Sequence, residues 1–199
     1  VRELRAGIVG EVRAIVAFGL PNLINHGCHW FDRVLEMAGD PDVEWVAGQV
    51  ESLAGVPADS QRHLDPAGAC QIQFANGVEA YVTRAGSGLG FEIVGSVGRL
   101  VILNDGGETQ LWTTGTNGKP LLSRPLPPSS PTPAGQAAVA DLLTAMDTGQ
   151  ATRADLGCAR RATEIGFAVH QSHRAGGRRI HSAEIDRDLR IDSLPWGNE

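Results

Sequence analysis

The stretch from residue 69 to residue 113 constrains the fold most. Residues 69–75 alternate apolar and polar side chains, Asn76-Gly77 follows, and residues 78–83 alternate again. An Asn-Gly pair between two alternating runs is the strongest short hairpin signal, because both residues tolerate the positive φ of a tight turn. Residues 91–95, 99–103 and 109–113 continue the pattern, with glycine-rich turns between them. Residues 42–50 alternate in the same way, and residues 12–18 form a β-branched run. Helical periodicity lies outside this block, at residues 20–39 before it and at 136–146 and 154–174 after it. A short strand is expected after Gly176-Gly177, a loop at residues 51–68, and a proline-rich crossing segment at residues 120–133. The pattern predicts an α+β fold. Its sheet is open and mostly antiparallel, with helices packed on one face and the other face available for oligomerisation.

Chemistry concentrates in residues 20–39. At 100° per residue, Ile24, Cys28, Phe31, Leu35 and Ala38 form an apolar stripe. Asn25, His29, Asp32 and Glu36 form the opposite stripe, flanked by His26 and Arg33. Pro21 and Asn22 read as start signals, with Asn22 as the N-cap, and Gly39 before Asp40-Pro41 as the stop. The polar stripe then begins where free backbone N–H groups and the positive end of the helix dipole welcome an anionic or oxygen-rich ligand. The same pattern also describes a plain solvent face. Asp32, one turn after His29, reads either as a carboxylate orienting the imidazole or as a surface acid paired with Arg33 or Arg13.

The Gly27-x-His29-x-x-Asp32 pattern resembles the helix near the start of the C-terminal domain of the glucose–fructose oxidoreductase / inositol dehydrogenase (Gfo/Idh/MocA) family. Ala6-Gly-Ile-Val-Gly-Glu-Val-Arg13 is similar to the segment that follows the family's cofactor domain. Gly95-Ser-Val-Gly-Arg-Leu-Val101 is similar to one of its strand-to-strand turns. The resemblance runs in order over the whole chain. It implies that residues 1–199 form a single C-terminal substrate-binding and oligomerisation domain, the N-terminal Rossmann domain being absent from this chain. The activity implied is that of an NAD(P)-dependent oxidoreductase acting on a sugar, polyol or related hydroxy compound. NAD or NADP would be held mainly by the missing domain, and none is expected to bind this chain alone. His29 would be the catalytic residue, transferring a proton or polarising a hydroxyl, with Asn25, His26, Asp32 and Arg33 on the substrate. Asn25 stands where the family has Asp, and a carboxamide holds a hydroxyl without accepting a proton. Further partners implied are a second copy, or three more, of this chain through the sheet face. The chain opens without Met, inside what reads as a helix, so a fragment of a longer polypeptide is expected.

A formal charge of −6 and 17 scattered basic residues argue against nucleic acid or a membrane surface as partner. No 18-residue apolar run and no signal-type start stands in the sequence. Cys28, Cys70 and Cys158, an odd number in apolar runs, read as buried thiols of a cytoplasmic protein.

Gly86-Ser-Gly-Leu-Gly90 has the wrong spacing for a dinucleotide fingerprint and precedes a strand rather than a helix, so it reads as a turn. His26, Cys28, His29 and Asp32 have ligand chemistry, but the stripe sends Cys28 inward and no second cluster joins them, so no metal site is expected. His170 and His173 read as cations at a helix C-terminus beside Arg174. Two other functions fit less well. One is a non-catalytic, stand-alone ligand-binding or dimerisation module, and the other a metal-assisted hydrolase using His26 and His29.

Overall fold

Strand β1 (Val12–Phe18) is the seam between two antiparallel meanders. It runs parallel to β4 (Glu79–Val82), with Ile15 opposite Ala80, and antiparallel to β5 (Gly90–Gly95), with Ile15 opposite Ile93. Beyond β4 lie β3 (Gly68–Phe74), β2 (Val43–Val50) and the short β9 (Ile180–His181). Beyond β5 lie β6 (Gly98–Leu103), β7 (Glu108–Thr114) and β8 (Pro120–Pro125). Among the described strands only the β1–β4 pair is parallel, because β1 leaves the sheet through helix α1 (Gly27–Ala38) and the chain returns at β2, three places away. The computed structural model describes residue 4 and residues 6–57, 59–60, 64–86, 88–115, 119–127 and 133–191.

One face of the sheet carries the core. Ile15, Ile72, Phe74, Ala80 and Ile93 are fully buried beneath Phe31, Val34 and Leu35 of α1 and Ile165, Ala168 and Val169 of α3 (Leu156–Arg174). Gly166 lets α3 sit close to the turn before α1. A Cβ there would lie 3.0 Å from the Leu23 carbonyl and 2.9 Å from Ile24 Cδ1. Helix α2 (Ala134–Thr148) is different. Its stripe of Val139, Leu142, Leu143 and Met146 is more than half exposed.

The α+β architecture and the order of elements match the expectation, with two differences. Residues 120–125, read as part of a crossing segment, form β8 against β7, Thr113 facing Leu121. Proline lacks the N–H that a central strand must donate, and here Pro120 and Pro125 sit at the ends of an edge strand, where the loss is small. The other sheet face is chemically mixed. Register lines up Gln71, Tyr81, Val16, Glu92, Val101 and Gln110 across it. Gln71 Nε2 donates to Tyr81 Oη at 3.3 Å, and Arg99 pairs with Glu92 at 2.9 Å on the same face. Alternation along each strand predicts which side chains share this face, but not that its apolar members are interrupted by polar ones across strands.

Candidate functional site

Residues 22–26 form an irregular turn ahead of α1, pinned by groups outside it. The Leu23 amide donates to the Pro66 carbonyl at 3.0 Å. The Ile24 and Asn25 amides donate to the two carboxylate oxygens of Asp65, at 3.1 and 2.7 Å. Asp65 is 2% exposed, so this carboxylate has given up water for those two amides. Asn22, 4% exposed, accepts the His26 amide on Oδ1 at 2.6 Å and places Nδ2 2.9 Å from His26 Nδ1. Asn22 was the expected N-cap, but the helix begins at Gly27 with His26 in the capping position and no side-chain cap. Tertiary partners satisfy the turn, so the chain has no need to become helical before Gly27.

The buried face of α1 is Gly27, Trp30, Phe31, Val34, Leu35, Met37 and Ala38. Phe31, Leu35 and Ala38 lie where the periodicity puts them. Trp30 takes the place expected of Cys28, and its indole N–H donates to the Phe18 carbonyl at 2.7 Å, tying α1 to the end of β1. Cys28 is half-buried, its thiol directed at the Asn25 carbonyl at 3.1 Å. Of the three free thiols only Cys70 is buried, and burial pushes it up to about 12. Cys28 and Cys158 are half-buried rather than buried as expected: both stand in the first turn of their helices, Cys158 ahead of Ala162, where the buried face of α3 begins.

The polar stripe faces outward. Asn25, His26, His29 and Arg33 are exposed and Asp32 is half-buried. Asn25, in the turn just before α1, and His29, in its first turn, are both exposed. Asn25 Nδ2 approaches His26 Nδ1 at 3.4 Å, and with the exposed His29 they make the start of α1 polar. Burial raises the Asp32 carboxyl above its usual range, with Arg33 opposing the shift. Arg33 itself reaches Glu36 at 2.9 Å. The patch can hold a hydroxyl through the carboxamide and exchange a proton through an imidazole. Among the described residues, no group of three His, Cys, Asp or Glu is placed to hold a metal.

The glycine-rich segment before β5 is a turn, as expected. Gly86 and Gly88 have φ of +97° and +75°, and the chain enters β5 at Gly90 rather than the helix a pyrophosphate requires. The neighbouring Ser87 lies outside the described residues.

Two features of α3 escaped the sequence. Ser172 is fully buried, accepts the Gly48 amide at 2.9 Å and donates to the Arg178 carbonyl at 2.6 Å. His173 and Arg174 do occupy the last turn as expected, but His170 is no surface cation. It is 6% exposed, and burial, assisted by Arg174 and His173, pushes it down to about 4. Its ring borders a cavity of about 680 Å³ between α3 and the segment after β2. Asp65 and Ser172 act across long separations and the burial of His170 depends on tertiary packing, so no local pattern announces them.

Neither a family model nor a curated protein matches the sequence. Solved structures do share its fold. Levoglucosan dehydrogenase in complex with NADH and L-sorbose is 16% identical, with a TM-score of 0.70 over 90% of this chain and 61% of its own. The aldose-aldose oxidoreductase from Caulobacter crescentus, complexed with glycerol, is 15% identical, with a TM-score of 0.68 over 90% and 58%. An NAD binding oxidoreductase from Klebsiella pneumoniae is 16% identical, with a TM-score of 0.72 over 94% and 62%. The chain spans about three fifths of the length of these proteins. Its resemblance to the Gfo/Idh/MocA oxidoreductases therefore holds at the level of the fold, which is the fold of three fifths of such an enzyme.

Proposed function

We propose that this chain is the substrate-binding and oligomerisation domain of an NAD(P)-linked oxidoreductase acting on a sugar, polyol or related hydroxy compound. The observation that carries the reading is the exposure of Asn25, His26 and His29 around the start of α1, on a domain whose fold recurs in sugar oxidoreductases. His29 takes the proton of the reacting hydroxyl or returns it, and the Asn25 carboxamide holds a neighbouring hydroxyl. His26, Asp32 and Arg33 complete the polar surround. The nicotinamide cofactor supplies hydride chemistry when bound, and its site lies in the part of the longer enzyme that this chain does not span. The uncovered sheet face, with Val16, Val94, Val101 and Trp112 among its polar residues, supports association of two or four copies. Unpaired thiols support a reducing, cytoplasmic setting.

The test is turnover of a full-length polypeptide with levoglucosan, L-sorbose and related sugars, followed by nicotinamide absorbance. Activity lost in His29→Ala supports the reading, and unchanged activity rejects it. The glycine turn leading into β5 favours a second reading, a stand-alone ligand-binding or dimerisation module without turnover. That reading predicts sugar binding with no cofactor dependence.

A further inference from the structure

We infer that Asn22 is a positioning residue that holds His26 in one tautomer, its proton on Nε2 and that N–H presented on the exposed patch. The argument starts from a backbone donor, whose direction is fixed. The His26 amide N–H meets an Asn22 side-chain atom at 2.6 Å, and only Oδ1 can accept it. The other amide atom, 2.9 Å from His26 Nδ1, is therefore Nδ2. An NH₂ group only donates, so Nδ1 is the acceptor and the neutral ring carries its proton at Nε2. Asn25 Nδ2, at 3.4 Å from the same Nδ1, presents a second donor to it.

The clamp is rigid because its base is buried. Asn22 is 4% exposed, and the turn it belongs to is held by the Asp65 carboxylate and the Pro66 carbonyl. His26 stays exposed and its Nδ1 is turned to the clamp, so its distal nitrogen, Nε2, is the one left to meet a ligand. The patch then divides its labour. His26 offers an N–H and reads an oxygen lone pair on the ligand, such as a hydroxyl or ether oxygen. It leaves proton acceptance to His29 and presents no lone pair to a metal ion. The ligand class rests on the function proposed above, whereas the tautomer rests on the clamp alone.

The test is a long-range ¹H–¹⁵N correlation spectrum of the imidazole rings in this chain, recorded well above the ordinary imidazole range. The expected result is a single His26 tautomer protonated at Nε2. Asn22→Asp replaces the donor by an acceptor and should move the proton to Nδ1. Asn22→Ala should give an average of both tautomers, with His29 unchanged in either variant. A wild-type His26 that is protonated at Nδ1, or already averaged, overturns the inference, as does an Asn22→Asp ring that keeps its Nε2 proton. If that variant does not fold, Asn22→Ala and the wild-type spectrum decide. None of these readouts needs turnover, so failure of the proposed activity leaves the result distinguishable.

Discussion

The Asp65 carboxylate accepts the Asn25 amide at 2.7 Å across 40 residues of sequence, and so sets where the candidate site begins. A second oxygen of the same group takes the Ile24 amide at 3.1 Å. Asp65→Ala leaves both amides without this partner. It should cost about 2–4 kcal/mol, since hydrogen bonds to charged groups contribute more than neutral ones. Asp65→Asn keeps one acceptor and should cost roughly half. Urea denaturation checks both values, with an unchanged m indicating an unaltered unfolded state.

The side chains of His29 and Asn25 are exposed, so replacing them should barely affect folding. Each alanine variant should lie within about 1 kcal/mol of wild type in denaturant. Under the proposed function, His29→Ala in a full-length polypeptide should lower kcat by about 10²–10⁴-fold. Asn25→Ala should mainly raise KM, roughly tenfold, because it removes a hydrogen bond rather than a proton path. Asn25→Asp restores the residue usual in the resembling family and should raise kcat. Steady-state kinetics alongside unfolding curves separates a catalytic His29 from a structural one.

Ser172 joins the end of α3 to the middle of β2. Ser172→Ala leaves the Gly48 amide and the Arg178 carbonyl without this partner. The expected cost is about 2–4 kcal/mol, because buried groups lose a partner that water cannot replace. Ser172→Cys fits the space with a weaker donor and should fall between the two in a thermal melt.

His170 makes the fold sensitive to acid. Its pKa is pushed down to about 4 from an ordinary 6.5, so between those values the unfolded chain binds more protons than the folded one. Stability is therefore fully present above pH 6.5 and is lost as pH falls towards 4. The whole window amounts to roughly 3 kcal/mol. His170→Leu should flatten this part of the stability–pH profile, which denaturant titrations at stepped pH will show.

The thiols should report their burial. Burial raises all three, Cys70 the furthest, so none is expected to react rapidly near neutral pH. A thiol-disulfide reagent should modify Cys28 and Cys158 slowly in the folded chain. Cys70 should be modified only after denaturant is added.

By itself the sequence determined what depends on neighbours along the chain. Alternation marked the strands, Asn76-Gly77 marked the β3–β4 hairpin, and helical spacing put Phe31, Leu35 and Ala38 inward with His29 outward. These signals are local because the periods of strand and helix are local. Tertiary structure alone decided the rest. The start of α1 moved to Gly27 because Asp65 and Pro66, from the far side of β2, satisfy the preceding amides. Asn22 became a clamp on the His26 ring instead of a cap, Pro120–Pro125 found an edge to pair with, and His170 was drawn beneath the surface. In each case an unpaired polar group or an open edge was matched by a partner distant in sequence. Local periodicity carries no record of such a partner, because the free energy that selects it exists only once the chain has closed on itself.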